Sequence, residues 1–470
     1  MIEKYIENHK NEIIQKTQEL IQIPSVIAPS SNPRHPFGKP INDALEYMLD
    51  LGKSLGFRTK NIDGYCGYIE FGKGKELIGI IGHLDVVPEG DDWTYPPFRG
   101  TISNHKIYGR GAIDDKGPII SSLFAMKAVA DTCQVHKRIR LILGLNEEND
   151  WKCIDYYKRH EESPSIGFSP DADFPCIYSE KAISTFYFKM DYSTFLDKDI
   201  VIKEVNTYGN PINVVPKLCS IILRIKPDKI KMCDLIQNLK NIIKETNFEI
   251  DIYKIDEEEI KLTSHGVLSH AAHPDLGINA ISRLIIILSK IFDLYKIKIE
   301  LFDFFATYIN TQYYGENLGI NFEDNSGKLT LNVGDFYFKN NILQIGLNLR
   351  LPITANILEV GNSFIKYTSP YLNVDFDRIS YKPALYIPKN NKLVKILCDV
   401  YNKETNSNLE PIAIGGATYA RAFDNCISFG PNFPGDKDMC HQTDEFIAID
   451  KLLLSCKIYA KAILALNELE

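Results

Sequence analysis

The sequence predicts an α/β fold that is interrupted by a second unit of the α+β class. Helical and strand-like patterns alternate over roughly the first 180 residues, strand-like runs dominate 183–380, and the alternation returns after about 384. A chain of 470 residues is long enough for two or three domains. We therefore expect one domain built from 1–182 and 381–470, with 183–380 inserted into it.

The opening segment begins with an amphipathic helix over 1–23, a Pro- and Ser-containing loop at 24–40 and a second helix near 41–56. Three apolar runs follow, LIGIIGHLDVV, RIRLILGLNEE and IGFSPDADFP, and each ends in polar or acidic residues. Strands of an open α/β sheet deliver side chains to a crevice at their carboxyl ends in this way. Between the first two runs, the residues after DDKGP have the periodicity of a helix packed on the sheet.

The inserted segment contains strand-like runs such as STFYFKMDYS and ILQIGLNLRLP, with helical patterns near 229–245 and 277–296. The closing segment predicts a helix at 389–404, then the glycine-rich IAIGGATYARA, an apolar strand at CISFG and a last helix at 445–466. This return to alternating patterns is why we treat the two outer segments as one domain.

Composition excludes several classes of function. The 53 Lys and Arg residues against 61 Asp and Glu give a net charge of −8, which argues against a nucleic-acid partner. We expect no membrane partner, since no run approaches about 18 uncharged apolar residues. The N-terminus lacks the unbroken apolar stretch of a signal peptide, and the ten cysteines form no C-x-x-C pair. We expect a cytoplasmic protein with free thiols.

His83 and Asp85 end the first apolar run, and the period of two places both side chains on one face of a strand. A metal-ligating histidine usually donates its other ring N–H to a carboxylate, and Asp85 could supply that acceptor. A polar strand end with a surface histidine explains the same pattern.

Adjacent carboxylates follow in two further places. Asp114 and Asp115 precede a predicted helix, where they could be metal ligands or ordinary helix caps. Glu147 and Glu148 end another run, and consecutive side chains there point in different directions. One could bind a metal while the other holds a proton, as metal-assisted hydrolysis requires, or both could belong to a solvated acidic loop.

Two weaker signals complete the set. Asp171 and Asp173 in SPDADFP form a third acidic cluster, which turn chemistry explains almost as well. His441 in CHQTDE, taken alone, is a cap-region residue before the last helix. Together with the preceding residues, however, these give five acidic or histidine-bearing segments in one α/β domain, which matches a site for two metal ions.

The ordered set H-x-D, D-D-K-G, E-E, P-D-A and H-Q-x-x-E resembles the zinc-dependent aminoacylase, carboxypeptidase and dipeptidase family, and most closely its bacterial peptidase V-type dipeptidases. The matching segments are GHLDVVPEGDDW, GRGAIDDKGP, NEENDWKCIDYY, FSPDADFPCIYSEK, NVVP, LNLRLP, GGATYARA and HQTDE. The resemblance implies a mixed-sheet, zinc-peptidase-like catalytic domain with helices on both faces, and it makes the inserted domain a lid.

The resemblance also implies the metal ligands. It assigns His83 with Glu148 or Asp171 as terminal ligands, makes Asp114 the bridge between two divalent ions, and lets His441 complete the second site. Zinc is the first choice of metal, and manganese and cobalt are alternatives because histidine and carboxylate ligands suit all three. In structures of the family, the peptide between the two adjacent aspartates is cis.

For catalysis, the resemblance places Asp85 behind the histidine ligand and makes Glu147 the general base for a water activated by the two metals. It assigns His270 of the inserted domain to the oxyanion, on the H-x-x-x-P spacing of SHAAHP, and places Asn213 of NVVP nearby.

The resemblance implies that Arg350 of LNLRLP binds the carboxylate at the end of a short peptide, although a surface arginine on a strand is the alternative. Gly415 and Gly416 would let backbone N–H groups approach the same carboxylate. The implied activity is that of a dipeptidase for short unblocked peptides. The length of the insertion favours a monomer. An N-acyl amino acid deacylase or a carboxypeptidase of the same family is the alternative.

Overall fold

A mixed sheet forms the centre of the first of two units into which the chain divides. The computed structural model describes residues 1–469. Unit 1 contains Met1–Ser179, Leu385–Ile412 and the chain from Ala417 onward, and unit 2 contains Glu180–Ala384 with Ala413–Gly416. The main-sheet strands of unit 1 are, in spatial order, Arg58–Ile62, Cys66–Phe71, Arg138–Gly144, Leu77–His83, Ile166–Ser169, Cys426–Ser428, Ile177–Glu180 and Leu385–Tyr386.

Three parallel strands in the middle of this sheet bring the candidate residues to one edge. Leu77–His83 pairs in parallel with Arg138–Gly144 on one side and with Ile166–Ser169 on the other. Leu77–His83 is buried along its whole length, as expected for a parallel strand covered on both faces. Because parallel strands end at the same edge, the residues that follow them converge there. The predicted α/β class with a mixed sheet is confirmed.

The helices of unit 1 cover this sheet. The helix Lys116–Thr132 is buried at every position from Lys116 to Met126, and it packs against the first and last helices of the chain. The helices are Ile2–Ile21, Lys39–Ser54, Lys116–Thr132, Lys152–His160, Lys392–Thr405 and Ile449–Asn467. The sequence patterns did not predict Lys152–His160.

The predicted start of the last helix at 445 is wrong. Phe446–Ala448 is instead a strand that pairs with Lys106–Tyr108, which in turn pairs with Thr101–Ser103. The helix begins only at Ile449. Tertiary strand pairing therefore overrides the helical pattern here. A second short pairing in unit 1 joins Ala172–Asp173 to Pro431–Asn432.

Unit 2 is built on antiparallel sheets. One four-stranded sheet has the order Thr330–Lys339, Ile342–Leu351, Ala182–Asp191 and Asp375–Lys382, and the other has the order Ile200–Asn206, Leu218–Ile225, Glu259–His265 and Ile250–Lys254. Two-stranded pairings join Val214–Val215 to Ser269–His270 and Glu323–Asp324 to Gly327–Lys328. The α-helices are Met232–Thr246, Ala280–Leu294, Glu300–Phe304 and Ile357–Thr368.

An aromatic cluster fills part of the core of unit 2. Phe188 stacks on Phe304 and on Phe376, with ring centroids 5.3 Å apart in both pairs, and Phe364 meets Phe188 edge-on at 5.1 Å. Such pairs contribute beyond their buried area. Within residues 1–469, no helix has the length and apolar character needed to cross a membrane.

Candidate metal centre

His83 lies at the end of the central strand of unit 1 and is 1% exposed. Its Nδ1 donates to the main-chain carbonyl of Asp85 at 2.9 Å. With the proton on Nδ1, a neutral imidazole presents Nε2 as its ligand atom. That nitrogen lies 2.9 Å from Asp114 Oδ1 and 3.8 Å from Asp171 Oδ2. The alternative of a surface histidine is therefore wrong.

Asp114 stands between two histidines. Its Oδ1 faces His83 Nε2, while its Oδ2 lies 3.0 Å from His441 Nε2. One carboxylate thus offers a separate oxygen to each side, which is the arrangement a bridging ligand requires. The peptide bond between Asp114 and Asp115 is cis.

Glu148 completes a second group. Its Oε1 lies 2.9 Å from His441 Nε2. The ligand atoms of His83, Asp114 and Asp171 lie within 4.8 Å of one another, and so do those of Asp114, Glu148 and His441. Of the two candidates for the carboxylate near His83, the structure therefore groups Asp171 with it and places Glu148 with His441. We call these five residues the ligand cluster.

The charges of the ligand cluster act on one another. Burial works to lower the pKa of His83, but hydrogen bonds with Asp114 and Asp171 hold it well above the usual histidine range. The pKa of His441 is also raised well above the usual histidine range. Burial works to lower it, but the charge of Glu148 and the hydrogen bond with Asp114 raise it. Burial works to raise the pKa of Asp114, yet the two histidines hold it well below its ordinary value. Burial raises the pKa of Asp171 to about 7. The three carboxylates therefore hold protons on the two histidines, and a bound cation would replace those protons.

The donor atoms of the ligand cluster fit two divalent ions. Two imidazole nitrogens and three carboxylates make up a nitrogen and oxygen set that suits zinc, manganese or cobalt. Ligand bonds of about 2.0–2.2 Å place neighbouring donor atoms roughly 3.3–3.6 Å apart around a tetrahedral ion. The contacts of 2.9, 3.0 and 3.8 Å within the cluster lie on either side of that spacing, so small shifts of the side chains would reach it. These residues could hold one ion on each side of Asp114.

Asp85 supports the cluster through the main chain. Its two carboxylate oxygens accept hydrogen bonds from the main-chain N–H groups of Glu147 and Glu148, at 3.0 and 3.1 Å. Its carboxylate Oδ1 lies 3.5 Å from His83 Nδ1, farther than its own carbonyl oxygen. Asp85 thus contacts His83 mainly through its carbonyl, and its carboxylate fixes the segment that carries the two glutamates.

Asp115 has a structural role that differs from helix capping. It occupies the N-cap position of Lys116–Thr132, but its side chain makes no cap hydrogen bond. Asp115 Oδ2 instead accepts from the main-chain N–H of His83 at 3.2 Å. A Cβ at Gly82 would lie 2.3 Å from that oxygen, so only glycine allows this approach.

His270 of unit 2 is exposed and lies on the short strand that pairs with Val214–Val215. Its Nδ1 accepts a hydrogen bond from the main-chain N–H of Ala272 at 3.2 Å. A neutral imidazole that accepts at Nδ1 carries its proton on Nε2, which is then a hydrogen-bond donor. The carbonyl of Asn213 accepts from Ala271 N–H at 2.9 Å, so Asn213 and His270 belong to one local structure.

Arg350 also belongs to unit 2 and is only 4% exposed, so the alternative of a surface arginine is wrong. Its Nε donates to Asn348 Oδ1 at 3.0 Å and its Nη1 donates to the Gly415 carbonyl at 3.1 Å. A Cβ at Gly415 would lie 2.8 Å from Ala272 Cβ, whereas one at Gly416 would make only ordinary contact. Close packing against Ala272 therefore favours glycine at position 415, independently of any approach of its N–H group to a carboxylate.

Sequence reasoning missed two buried charged residues beside the ligand cluster. Arg110 and Glu445 are 2% and 0% exposed and form an ion pair of 2.7 Å. Both lie inside the segments GRGAIDDKGP and HQTDE, which were singled out for other residues. Glu445 is the last residue of the H-Q-x-x-E pattern, but neither residue was given a role from the sequence.

Comparison with known proteins gives the class. Residues 79–465 match the family described as peptidase family M20/M25/M40. A protein of Bacillus subtilis (strain 168) named "Putative dipeptidase YtjP" is 36% identical over 467 residues, which cover 97% of each chain. A "Putative dipeptidase" of Staphylococcus epidermidis is 35% identical and covers 99% of this chain and 98% of its own. The chain belongs to peptidase family M20/M25/M40 and is a metallopeptidase, so the resemblance to this family is confirmed.

Solved structures support the fold. The dipeptidase Dug1p of Saccharomyces cerevisiae superimposes with a TM-score of 0.61 at 14% identity, covering 100% of this chain and 98% of its own. Human carnosine dipeptidase 1 gives a TM-score of 0.58 at 15% identity and covers 100% and 99%. At such low identity these similarities establish the fold alone.

Proposed function

We propose that this protein is a metal-dependent dipeptidase that hydrolyses the peptide bond of short unblocked peptides. The observation that carries the proposal is the position of Asp114, whose two carboxylate oxygens lie 2.9 Å from His83 Nε2 and 3.0 Å from His441 Nε2. The names of the full-length relatives supply the class of substrate. The proposal includes two divalent ions, zinc by preference, held by the ligand cluster.

Bound divalent ions would polarise the scissile carbonyl and bring the pKa of a water close to neutrality. Glu147 is the proposed general base, which accepts the proton of the attacking water and returns it to the leaving amine. Asp85 supports this role because it binds the main-chain N–H of Glu147 and of its neighbour Glu148.

His270 and Arg350 are the proposed contributions of the inserted range 183–380. The Nε2 proton of His270 would donate to the developing oxyanion, with Asn213 nearby. The planar guanidinium of Arg350 would bind the terminal carboxylate of the substrate, with Gly415 and Gly416 offering main-chain groups. We also propose that the range is a lid, that the protein acts as a monomer and that it works in the cytoplasm.

A panel of substrates tests the activity. The panel contains dipeptides, the same dipeptides with an N-acetyl group, and longer peptides, each assayed with zinc, manganese and cobalt. We expect hydrolysis of free dipeptides and little turnover of the acetylated ones. Preferred cleavage of N-acylated amino acids would favour a deacylase, and release of single residues from the end of long peptides would favour a carboxypeptidase.

Glu147→Ala tests the base. We expect turnover to fall by about 10²–10⁴-fold, the usual contribution of a general base, while metal content stays near that of the wild type. Metal analysis of the purified variant separates the two roles. Loss of metal, or retained turnover, would contradict the role of Glu147.

A further inference from the structure

The buried ion pair between Arg110 and Glu445 joins two segments that carry residues of the ligand cluster. Glu445 Oε2 accepts from Arg110 Nη1 at 2.7 Å. Removing two charges from water is costly, and apolar residues can often replace such a pair without loss of stability. A buried pair at this position therefore calls for an explanation in terms of geometry.

Glu445 fixes the main chain at Asp114. Its second carboxylate oxygen, Oε1, accepts from the main-chain N–H groups of Ile113 and Asp114, at 3.0 and 3.3 Å. Charge-assisted hydrogen bonds of this kind are stronger than bonds between neutral groups. Glu445 thus holds the residue whose side chain faces both histidines.

Arg110 fixes the main chain at His441. Its guanidinium donates to the carbonyls of His441 and Gln442, at 3.4 and 3.2 Å, and to that of Glu89 at 3.1 Å. His441 has a φ of +64°, in the left-handed region that non-glycine residues seldom occupy. Such a conformation persists only where surrounding contacts determine it. A rigid fork with five donors can bind several carbonyls at once, which an ammonium cannot do in the same geometry.

We infer that Arg110 and Glu445 are positioning residues for the candidate metal centre. Through one ion pair they hold the main chain on both sides of the cluster, at Asp114 and at His441. The inference rests on the proposed function, since it concerns the site that would hold the two ions. It assigns these residues no contact with the substrate.

The test measures metal binding directly. Metal-stripped wild type, Arg110→Lys and Glu445→Gln are titrated with Co²⁺, followed by calorimetry and by the visible spectrum of the bound ion. The wild type should bind two ions. In Arg110→Lys we expect one of the two binding steps to weaken by at least about tenfold, with an altered cobalt spectrum, while the other step changes less. Glu445→Gln keeps an acceptor for the two N–H groups but removes the charge, so its effect should be smaller in the same direction.

Glu70→Gln is the matched control. Glu70 and Arg140 also form a buried ion pair in unit 1, at 2.6 Å and 5% and 4% exposed, but on neighbouring strands of the sheet away from the ligand cluster. This variant should lose a similar amount of thermal stability and keep both cobalt affinities. Should Arg110→Lys fail to fold, Glu445→Gln with the same control decides the question.

The outcomes separate the two proposals. If Arg110→Lys and Glu445→Gln both have the cobalt affinities and spectra of the wild type, the inference is overturned and the proposed function is left intact. Equal weakening in Glu70→Gln would overturn it as well, because the effect would then reflect stability alone. A wild type that binds fewer than two ions would overturn the proposed function, and the inference with it.

Discussion

The ligand cluster of unit 1 and the polar group around His270 and Arg350 in unit 2 are assembled in different ways. In the ligand cluster, side chains contact one another directly, as Asp114 contacts both His83 and His441. In unit 2, Arg350 donates to the Gly415 carbonyl, and the backbone beside His270 is paired with Asn213. The first arrangement brings charged side chains together, whereas the second depends on main-chain geometry. Mutations should therefore act on metal content in the first region and on substrate binding or turnover in the second.

The largest effect should come from Asp114→Asn. Because Asp114 belongs to both ligand groups, we expect metal content to fall from two ions toward none and activity to fall by roughly 10³-fold or more. Metal analysis after dialysis and steady-state kinetics measure both. Asp173→Asn is the control. Asp173 lies two positions after Asp171 but belongs to neither ligand group, so this variant should keep two ions bound. If Asp114→Asn retained both ions, metal binding would not depend on Asp114, and the comparison between the ligand cluster and the polar group of unit 2 would lose its basis.

His270→Asn should give the next largest effect, confined to turnover. We expect kcat to fall by about 10²–10³-fold, the usual cost of removing one oxyanion donor, with metal content unchanged. Kinetics and metal analysis of the same sample make the check. A loss of metal in this variant would show that the two regions are not separate in function.

Arg350→Lys should act on binding of one substrate group. The ammonium keeps the charge but loses the planar fork, so we expect KM for peptides with a free carboxylate to rise by about tenfold. The comparison uses the same peptides with an amidated C-terminus, on which the variant and the wild type should differ little. An equal rise in KM for both sets would contradict the role of Arg350 in carboxylate binding.

Asn332→Ala should give the smallest effect, on stability first. The buried Asn332 amide donates to the carbonyls of Ile212 and Val214 at 3.1 and 2.9 Å, on both sides of Asn213, and its Oδ1 accepts from Asn279 at 3.0 Å. Removing it leaves buried groups unpaired, so we expect the free energy of unfolding to drop by about 1–3 kcal/mol. Urea denaturation measures the loss, and kcat should change less than in His270→Asn. A larger loss of kcat than in that variant would give Asn332 a role beyond support.

Much of the fold and of the ligand cluster could be predicted because its signals are local. The apolar run that ends at His83 predicts a buried strand, and the structure has that strand as Leu77–His83. Glu147 and Glu148 follow the strand Arg138–Gly144, and Asp171 follows Ile166–Ser169, so the parallel strands bring these carboxylates to one edge. Two helices are exceptions. The helix Lys152–His160 was not predicted, and the start of the last helix was misplaced because pairing of Phe446–Ala448 with a distant strand has no local signal.

The finer pairing inside the cluster could not be predicted. Nothing in the order of residues says that Asp171 lies beside His83 while Glu148 lies beside His441, since both carboxylates follow strands at the same edge. The use of Asp85 was also only partly foreseen. Its position two residues after His83 suggested a contact with the ring, but its carboxylate binds main-chain N–H groups of the glutamate segment instead.

The sequence by itself determined the class of the fold, the peptidase family and the residue types of the cluster, because those depend on periodicity and on motifs of a few residues. Only the tertiary structure decided which carboxylate faces which histidine, and it alone revealed that Arg110 and Glu445, 335 positions apart, form a buried pair. Contacts between distant segments depend on how the strands and loops pack, and their free energy is set by burial and geometry that no local pattern encodes.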